Sequence, residues 1–192
     1  MRMDPYDFIG LRRRAFPTAR DLSPRPPSVS RTKIVIPMEI SHASIAGFVH
    51  GGTIMRLVDT AGGIAASRHC GGPTVTASMD EMSFLASVHI GDLVTVRAQV
   101  NDTGRTSIEV GVTVDVEIPG GQTVHVSTAH LVFVALDENR SPVPVPPLVP
   151  ETEEERRRQA EARIRREQRL LRKEALMRAR AGEATSSDGG AR

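Results

Sequence analysis

The sequence predicts an α+β fold in which one long helix is wrapped by a five-stranded antiparallel sheet. A single segment, residues 51–70, repeats its apolar residues at helical spacing. Five other segments show the alternation or the flanking turn signals that are typical of strands. Short connections between the last four of these segments favour antiparallel neighbours. At 192 residues, the chain is long enough for one domain with tails.

The first predicted strand is marked by alternation, because Ile34, Ile36 and Met38 are separated by Val35 and Pro37. Turn signals separate the later strands from one another. The four later strands are predicted at residues 73–84, 93–100, 105–118 and 122–136.

The long helix follows a loop of small residues. Gly51 and Gly52 suit its N-terminal end, and Gly71, Gly72 and Pro73 end it. Its apolar positions lie mostly three or four residues apart: Ile54, Leu57, Val58, Ala61, Ile64 and Ala65.

A helix that is apolar on nearly all sides must be covered on most of them. A curved antiparallel sheet wrapped around the helix does this, and the order of one strand, one helix and four strands is that of the hotdog fold. The open sheet leaves free edges, and pairing with a second copy removes one of them. The fold prediction therefore includes assembly into a homo-oligomer.

Composition divides the chain into five parts. The C-terminal charged segment has acids at its start and bases towards its end, which suits the helix dipole, and we expect this helix to lie on the domain or on a neighbouring subunit. The predicted parts are a flexible Pro/Arg-rich arm at 1–31, the hotdog domain at 32–138, a Pro-rich linker at 139–150, a charged helix at 151–182 and a disordered tail at 183–192.

The positive charge of the chain lies in its ends. Residues 34–150 carry 5 basic and 11 acidic residues, although the whole chain has 25 Lys and Arg against 23 Asp and Glu. Nucleic-acid binding needs a basic face on the folded domain, so we expect no nucleic-acid partner. No apolar run reaches about 18 residues, so we expect no membrane span. The single cysteine, Cys70, and the lack of a secretory signal predict a cytoplasmic protein.

The six histidines show no metal-ligand spacing, and Cys70 has no cysteine partner. We therefore expect no metal and no cofactor. His125 and His130 are five residues apart, which predicts that they lie on opposite faces of a strand. The Gly-x-Ser-x-Gly pattern is absent, which argues against a serine hydrolase.

Asp59 is the one acid in the long helix, where we expect it to be buried. A buried carboxylate costs free energy unless it has partners. Positions three and four residues away include Met55, Gly62 and Gly63, and small residues beside an acid indicate the close approach of a substrate, a backbone or a second subunit. Two interpretations stay open: a catalytic acid, or an acid held by hydroxyls or amides without any chemistry.

The glycine pair at the helix start is the second candidate feature. Free N–H groups there can bind a developing oxyanion, although a tight turn that only caps the helix is the alternative. Asp59 lies roughly 10 Å further along the helix axis than Gly52. A catalytic acid and an oxyanion site must each lie within about 3 Å of the reacting group. In an enzyme, Asp59 of one copy would therefore meet the Gly51 region of another, and the monomer would be inactive.

Four ordered segments resemble the hotdog acyl-CoA thioesterases of the bacterial and cytosolic brain acyl-CoA hydrolase type. They are GFVHGGTIMRLVDTAGGIAASRHC at 47–70, VTASMDEMSFLASVHIGDLV at 75–94, TGRTSIEVGVTV at 103–114 and PVPPLVPETEEERRR at 144–158. The resemblance implies that the chain hydrolyses fatty acyl-CoA to a free fatty acid and coenzyme A. It also implies a homodimer at least, and usually a trimer of dimers.

The resemblance implies roles for individual residues. Asp59 matches the catalytic helix aspartate, a base for water or a nucleophile on the thioester carbon. Gly51, with His50 and Gly52, matches the helix start that polarises the thioester carbonyl. Many members carry Asn in the preceding loop, acting opposite the aspartate, where this chain has the shorter Ser44. The residues matching the coenzyme A groove are Arg105, Thr106 and Ser107, with Arg68 as a candidate phosphate contact.

Two other functions remain open. Ser44 in place of Asn favours a hotdog protein that binds acyl-CoA without hydrolysing it. Dehydration of a hydroxyacyl thioester would need a histidine paired with an acid, and neither His50 nor His42 has a clear acidic partner in the sequence.

Overall fold

The computed structural model describes residues 20–118 and 120–187. Its elements follow the predicted order of one strand, one helix, four strands and a final helix. They are β1 (Thr32–Pro37), α1 (Gly51–Cys70), β2 (Thr74–Met82), β3 (Leu93–Thr103), β4 (Ser107–Glu117), β5 (Thr123–Ala135) and α2 (Glu153–Ser187). Parts of the predicted arm (1–31) and of the predicted tail (183–192) lie outside the described residues.

The five strands form one sheet in the order β1-β3-β4-β5-β2. Every neighbouring pair is antiparallel. We call the sheet face that packs against α1 the inner face and the opposite one the outer face. β1 and β2 are the edge strands. This arrangement confirms the predicted α+β hotdog fold.

The inner face is apolar because buried valines recur at every second position along the middle strands. Valine suits a pleated, half-buried surface. The helix α1 contributes small and branched side chains that let it approach the sheet closely. Its buried residues include Ile54, Leu57, Val58, Ala61, Gly62, Ala65 and Ala66.

The glycine at position 62 serves the packing of α1 on the sheet. A Cβ built on Gly62 would lie 3.0 Å from the ring of Phe133, which is itself buried. Because real Cβ atoms seldom approach a neighbour this closely, the missing side chain lets the helix reach β5. The close approach predicted at Gly62 is therefore that of a core side chain, not of a substrate, a backbone or a second subunit.

A bulge in β5 changes the faces of its two histidines. The pairing of β4 with β5 shifts by one residue just before Asp115, so an extra residue of β5 lies between His125 and His130. Their partners, Asp115 and Gly111, are four residues apart on regular β4 and therefore share a face. Both histidines lie on the outer face, and the prediction of opposite faces is wrong.

Residues 20–31 pack along the domain, unlike a flexible arm. Arg25 pairs with Leu148 in a parallel bridge and donates to the carbonyl of His69 at 2.8 Å. The ring of His69 bonds in turn to the carbonyl of Pro146 at 3.0 Å. This segment and the Pro-rich linker therefore lie side by side and cover the C-terminal end of α1.

The charged helix α2 lies across the outer face of its own domain. Its start is capped by Glu155, which accepts hydrogen bonds from the N–H of Thr152 at 3.1 Å and from that of the preceding residue. Further along, Arg165 and Arg169 both donate to Glu109, which is only 5% exposed. These contacts fix the first half of α2 on the sheet, whereas the side chains from 170 to 180 are exposed.

Candidate active site

The N-terminal end of α1 presents one free backbone donor. His50 is the N-cap residue, and its Nδ1 accepts a hydrogen bond from the N–H of Gly52 at 2.9 Å. The N–H of Gly51 makes no hydrogen bond to any residue that the structure describes. Amides at a helix start carry partial positive charge. The ring of His50 and the amide of Gly52 thus satisfy each other, and Gly51 remains as the donor for an oxyanion.

An apolar pocket of about 320 Å³ opens at Gly51. A Cβ built on Gly51 would lie 3.6 Å from the ring of Phe84. Phe48, Ile54 and Leu85 form further parts of the wall, and Phe84 and Leu85 are 47% and 70% exposed. Large exposed apolar side chains around a pocket fit an apolar ligand or cover by a second subunit. Sequence reasoning missed Phe48 and Phe84 because isolated rings between helices and strands carry no periodic signal.

Asp59 lies on the uncovered face of α1 and is exposed. The expectation that it is buried is wrong for the single chain, because the sheet covers only the other face of the helix. The hydroxyl of Thr76 on β2 donates a hydrogen bond to Oδ1 of Asp59 at 2.6 Å. The other carboxylate oxygen has no hydrogen bond to the described residues. One oxygen is thus held, and one is free for a water molecule or an acyl group.

Thr76 is the residue of this site that sequence reasoning missed. It lies on the edge strand β2 opposite Phe133 of β5, and threonine is common in strands because of its branched shape. No pattern in TVTAS distinguishes a hydroxyl that holds a carboxylate from one that merely occupies a strand position. The short distance between the two oxygens is typical of a hydrogen bond to an ionised acceptor.

Ser44 lies in the loop before α1. Its hydroxyl accepts a hydrogen bond from the N–H of Ala46 at 3.3 Å, and its own N–H donates to the carbonyl of Phe48 at 2.7 Å. No hydrogen bond joins Ser44 to Asp59 among the described residues. Within one chain, Ser44 therefore stabilises its own loop.

The residues predicted for the coenzyme A groove lie at the other end of α1. Arg68 donates to the carbonyl of Arg31 at 2.8 Å, so part of its guanidinium group holds the chain before β1. The side chain of Arg105 is exposed in the turn between β3 and β4, and those of Thr106 and Ser107 are half-buried. Arg68 is seventeen residues past Gly51, or about 25 Å along the helix axis. One chain does not bring this groove to the helix start.

Burial governs two other groups near the end of α1. It raises the pKa of the Cys70 thiol and lowers the pKa of His69. The thiol stays protonated at neutral pH, so it is a poor nucleophile. Across residues 20–118 and 120–187, no group of three or more His, Cys, Asp or Glu side chains is placed to hold a metal ion. In the same residues, no helix is both long enough and apolar enough to cross a membrane.

Known proteins resemble this chain in sequence. Residues 46–120 match the family model of the thioesterase superfamily. An uncharacterised acyl-CoA thioester hydrolase of Bacillus subtilis is 41% identical over 128 residues, which are 66% of this chain and 73% of that protein. The rat cytosolic acyl coenzyme A thioester hydrolase is 36% identical over 149 residues. The match spans 75% of this chain but only 39% of the rat protein.

Solved structures of acyl-CoA hydrolases share the fold. The enzyme of Bacillus cereus is 35% identical with a TM-score of 0.77, and the match covers 83% of this chain and 98% of that one. A hexameric acyl-CoA thioesterase is 33% identical with a TM-score of 0.75, over 78% and 97% of the two chains.

A third hydrolase, from Staphylococcus aureus, was solved with butyryl coenzyme A, coenzyme A and coenzyme A disulfide. It is 28% identical with a TM-score of 0.76, over 83% and 98% of the two chains. Alanine variants of this enzyme at an aspartate, an asparagine and a threonine are also solved. Sequence and fold agree, and this chain belongs to the thioesterase superfamily of hotdog proteins.

Proposed function

We propose that this protein hydrolyses fatty acyl-CoA to a free fatty acid and coenzyme A. The proposal depends on two groups of α1. The N–H of Gly51 is free and lies at an apolar pocket, and the carboxylate of Asp59 is oriented on the uncovered face of the helix. An oxyanion donor and an acid with one free oxygen are the two groups that thioester hydrolysis needs. The family to which the chain belongs makes acyl-CoA the substrate to test first.

The two groups meet only across a dimer. Gly51 and Asp59 are eight residues apart, which is about 12 Å along the axis of α1. A two-fold axis beside α1 places Asp59 of one protomer near the start of α1 in its partner. Each dimer then holds two identical sites, and each site takes one group from each chain.

The uncovered side of α1 has the character of a dimer interface. Met55 and Ile64 on the helix are exposed by 44% and 36%. The strand β2 also offers an edge with no partner strand among the described residues. A second copy that pairs along β2 covers these side chains and removes the free edge. Assembly and catalysis therefore depend on the same face.

The proposed reaction needs no group beyond those of the chain. The free oxygen of Asp59 takes a proton from water while the water oxygen attacks the thioester carbon. The N–H of Gly51 stabilises the negative charge that develops on the carbonyl oxygen. The carbon–sulfur bond then breaks, coenzyme A leaves as a thiolate, and the proton passes to it. Direct attack by Asp59 through an acyl anhydride is the alternative that labelled water distinguishes.

The substrate contacts both chains of the proposed dimer. The acyl chain lies in the pocket walled by Phe48 and Phe84, next to Gly51. Because Arg68 and Arg105 lie at the far end of α1, a partner helix running in the opposite direction brings its own copies towards that pocket. The phosphates of coenzyme A are then bound by the partner's basic side chains, with Thr106 and Ser107 lining the groove.

The solved relatives support this use of the chain. The three alanine variants of the Staphylococcus aureus hydrolase lie at positions spaced along that chain as Ser44, Asp59 and Thr76 are here. Its complexes contain coenzyme A. The hexameric relative supports assembly of this protein as a trimer of hotdog dimers. We also propose that the protein works in the cytoplasm and without a cofactor.

The role of Asp59 is tested by the isosteric change Asp59→Asn. We expect thiol release from palmitoyl-CoA to be abolished while the circular dichroism spectrum and the unfolding midpoint stay unchanged, because Asp59 is exposed and the amide still fits Thr76. The control is Glu117→Gln, which removes an exposed carboxylate from the far side of the sheet. Turnover by Asp59→Asn close to that of the wild type contradicts the proposal.

The composition of the site is tested by mixing two inactive variants, Asp59→Asn and Gly51→Val. A mixed dimer then has one site in which both groups are intact and one in which both are changed. Random exchange of subunits makes half of the dimers mixed, so we expect about one quarter of the wild-type activity. No recovery in mixtures shown by mass to contain mixed dimers means that the site does not cross the interface.

A binding protein without hydrolase activity is the second candidate. Ser44 favours it, because its short hydroxyl already bonds to Ala46 and does not reach Asp59 within one chain. Calorimetric binding of palmitoyl-CoA by the wild type, without release of free thiol, would select this function instead.

A further inference from the structure

A second cavity lies on the outer face of the sheet, away from the Gly51 pocket. It has a volume of about 590 Å³ and opens between the outer face of the sheet and the first turns of α2. The sheet lies between the floor of the cavity and α1, and Arg68 of α1 reaches the cavity only at its edge, where it bonds to Arg31 and Thr32. A volume of this size is within the range of small-molecule sites, and nothing in the proposed hydrolysis uses it.

The floor of the cavity is uncharged but rich in hydrogen-bonding groups. Asn101 is 4% exposed, and its carboxamide oxygen has no partner among the described residues. Such a buried unpaired group costs free energy unless a ligand or water satisfies it. The carboxamide packs directly over Gly111, since a Cβ there would lie 2.5 Å from the Asn101 amide nitrogen. The hydroxyls of Thr113 and Thr128 also line the floor.

His130 completes the floor and is neutral at pH 7. Burial, followed by the nearby Arg165, lowers its pKa to about 4. A neutral imidazole offers one donor and one acceptor. The floor can therefore bond to hydroxyl groups, which need both.

The rim of the cavity is basic. Lys33 makes no ion pair with any described carboxylate, whereas the arginines are paired: Arg31 with Glu155, Arg97 with Asp115, and Arg158 with Glu154. A guanidinium group has five N–H donors, so a pairing leaves some of them free for a ligand. The charged residues that line the cavity are Arg31, Lys33, Arg97, Arg157, Arg158 and Glu161.

We propose that this cavity binds a small hydroxylated phosphate such as a sugar phosphate. The phosphate group meets Lys33 and Arg158 at the rim, and the hydroxyl groups bond to Asn101 and the threonines of the floor. Apart from the imidazole of His130, no aromatic ring lines the cavity. A sugar therefore suits the floor better than a nucleobase, which needs a flat ring to stack on.

The proposal is tested on the full-length protein by calorimetry with ribose 5-phosphate, inorganic phosphate and AMP. We expect ribose 5-phosphate to bind at least tenfold more tightly than inorganic phosphate, because only the sugar reaches the floor. Equal affinity of these two ligands overturns the role of the floor. Tighter binding of AMP than of ribose 5-phosphate overturns the sugar assignment.

Charge variants test the location of the site. Lys33→Glu combined with Arg158→Glu is expected to weaken ribose 5-phosphate binding at least tenfold and to leave thioester hydrolysis unchanged. The control makes the same change of charge on the exposed second half of α2, with Arg172→Glu and Lys173→Glu, and keeps full affinity. Equal loss in both proteins, no binding by the wild type at millimolar ligand, or competition by coenzyme A each overturns the proposal.

Gly111→Ala is a second, smaller perturbation of the same floor. The added methyl group meets the carboxamide of Asn101 and forces it to shift. We expect the preference for ribose 5-phosphate over inorganic phosphate to disappear while weak phosphate binding at the rim persists. An unchanged preference contradicts the assignment of the floor.

Discussion

Replacing Thr76 by valine removes the hydroxyl that holds Asp59 and changes little else. Valine has the same branched shape and suits a strand equally well. Thr76 is exposed, so we expect the variant to fold. The lost hydrogen bond is 2.6 Å long and has an ionised acceptor. Hydrogen bonds to charged groups contribute about 1.5–3 kcal/mol.

The loss should fall on kcat rather than on KM. In the proposed mechanism, the hydroxyl fixes the direction of the carboxylate during attack on the thioester, whereas coenzyme A binds elsewhere. A loss of about 1.5–3 kcal/mol in the transition state corresponds to a fall in kcat of roughly 10- to 150-fold. Release of free thiol from palmitoyl-CoA, measured over a range of substrate concentrations, separates kcat from KM.

Two changes on the same strand control for this measurement. Thr76→Ser keeps the hydroxyl and should keep most of the activity. Thr74→Val removes a hydroxyl that lies 3.1 Å from that of Ser67 and makes no contact with Asp59, so kcat should stay near the wild-type value. If Thr76→Val retains kcat within about twofold, or if Thr74→Val loses as much, the role given to this hydrogen bond is refuted.

Two further changes concern stability. Glu109→Gln leaves two arginines of α2 facing a neutral amide, and we expect it to lower the free energy of unfolding in urea by about 2–4 kcal/mol. Glu161→Gln breaks a half-exposed pair with Arg157, should cost about 0.5 kcal/mol or less, and is the control. The pKa of His130 is about 4 in the folded chain, against 6.5 when unfolded. The unfolded chain therefore takes up a proton between these values, and the free energy of unfolding should fall as pH drops from 7 to 4. In His130→Gln this fall should be smaller; an unchanged pH dependence contradicts the account.

The order of elements follows from local patterns that the sequence displays openly. Helical spacing in α1 and alternation in β1 come from the requirement that each element bury one face. The β3–β4 turn needs residues with turn propensity, and Gly104 supplies one of them. Such signals depend on residues that are close together in the chain, so the elements that they mark can be predicted without the structure.

The errors arose where distant residues decide the local structure. The sequence links Gly62 to Asp59 because both lie on one helix, but the group that approaches Gly62 is the ring of Phe133, seventy-one residues away. The bulge in β5 likewise depends on the pairing with β4, and it puts His125 and His130 on the same face of the sheet instead of on opposite faces. Periodicity within one segment contains no information about an inserted residue or a facing strand.

In the candidate site too, local patterns are visible in the sequence and distant contacts are not. Asp59 is noticeable because an acid in an otherwise apolar helix costs free energy unless it has partners or a function. Thr76 is not noticeable, because threonine is common in strands, and only the fold brings its hydroxyl within 2.6 Å of the carboxylate. The Gly51 amide was predicted from the helix start, but the pocket beside it depends on where Phe84 lies after β2.

The exposure of Asp59 in the single chain means that the proposed site needs a second chain to cover the carboxylate. A carboxylate in water with one oxygen held by Thr76 is a poor catalyst, since water screens its charge and nothing binds the thioester beside it. Covering the open face of α1 with a second copy changes three things together. In the proposed dimer it excludes bulk water from around Asp59, buries the exposed apolar side chains of α1, and brings an oxyanion donor from the partner. If the site is composite as proposed, the burial of apolar surface that favours assembly also excludes the water that would screen the carboxylate, so assembly and activity should be lost together.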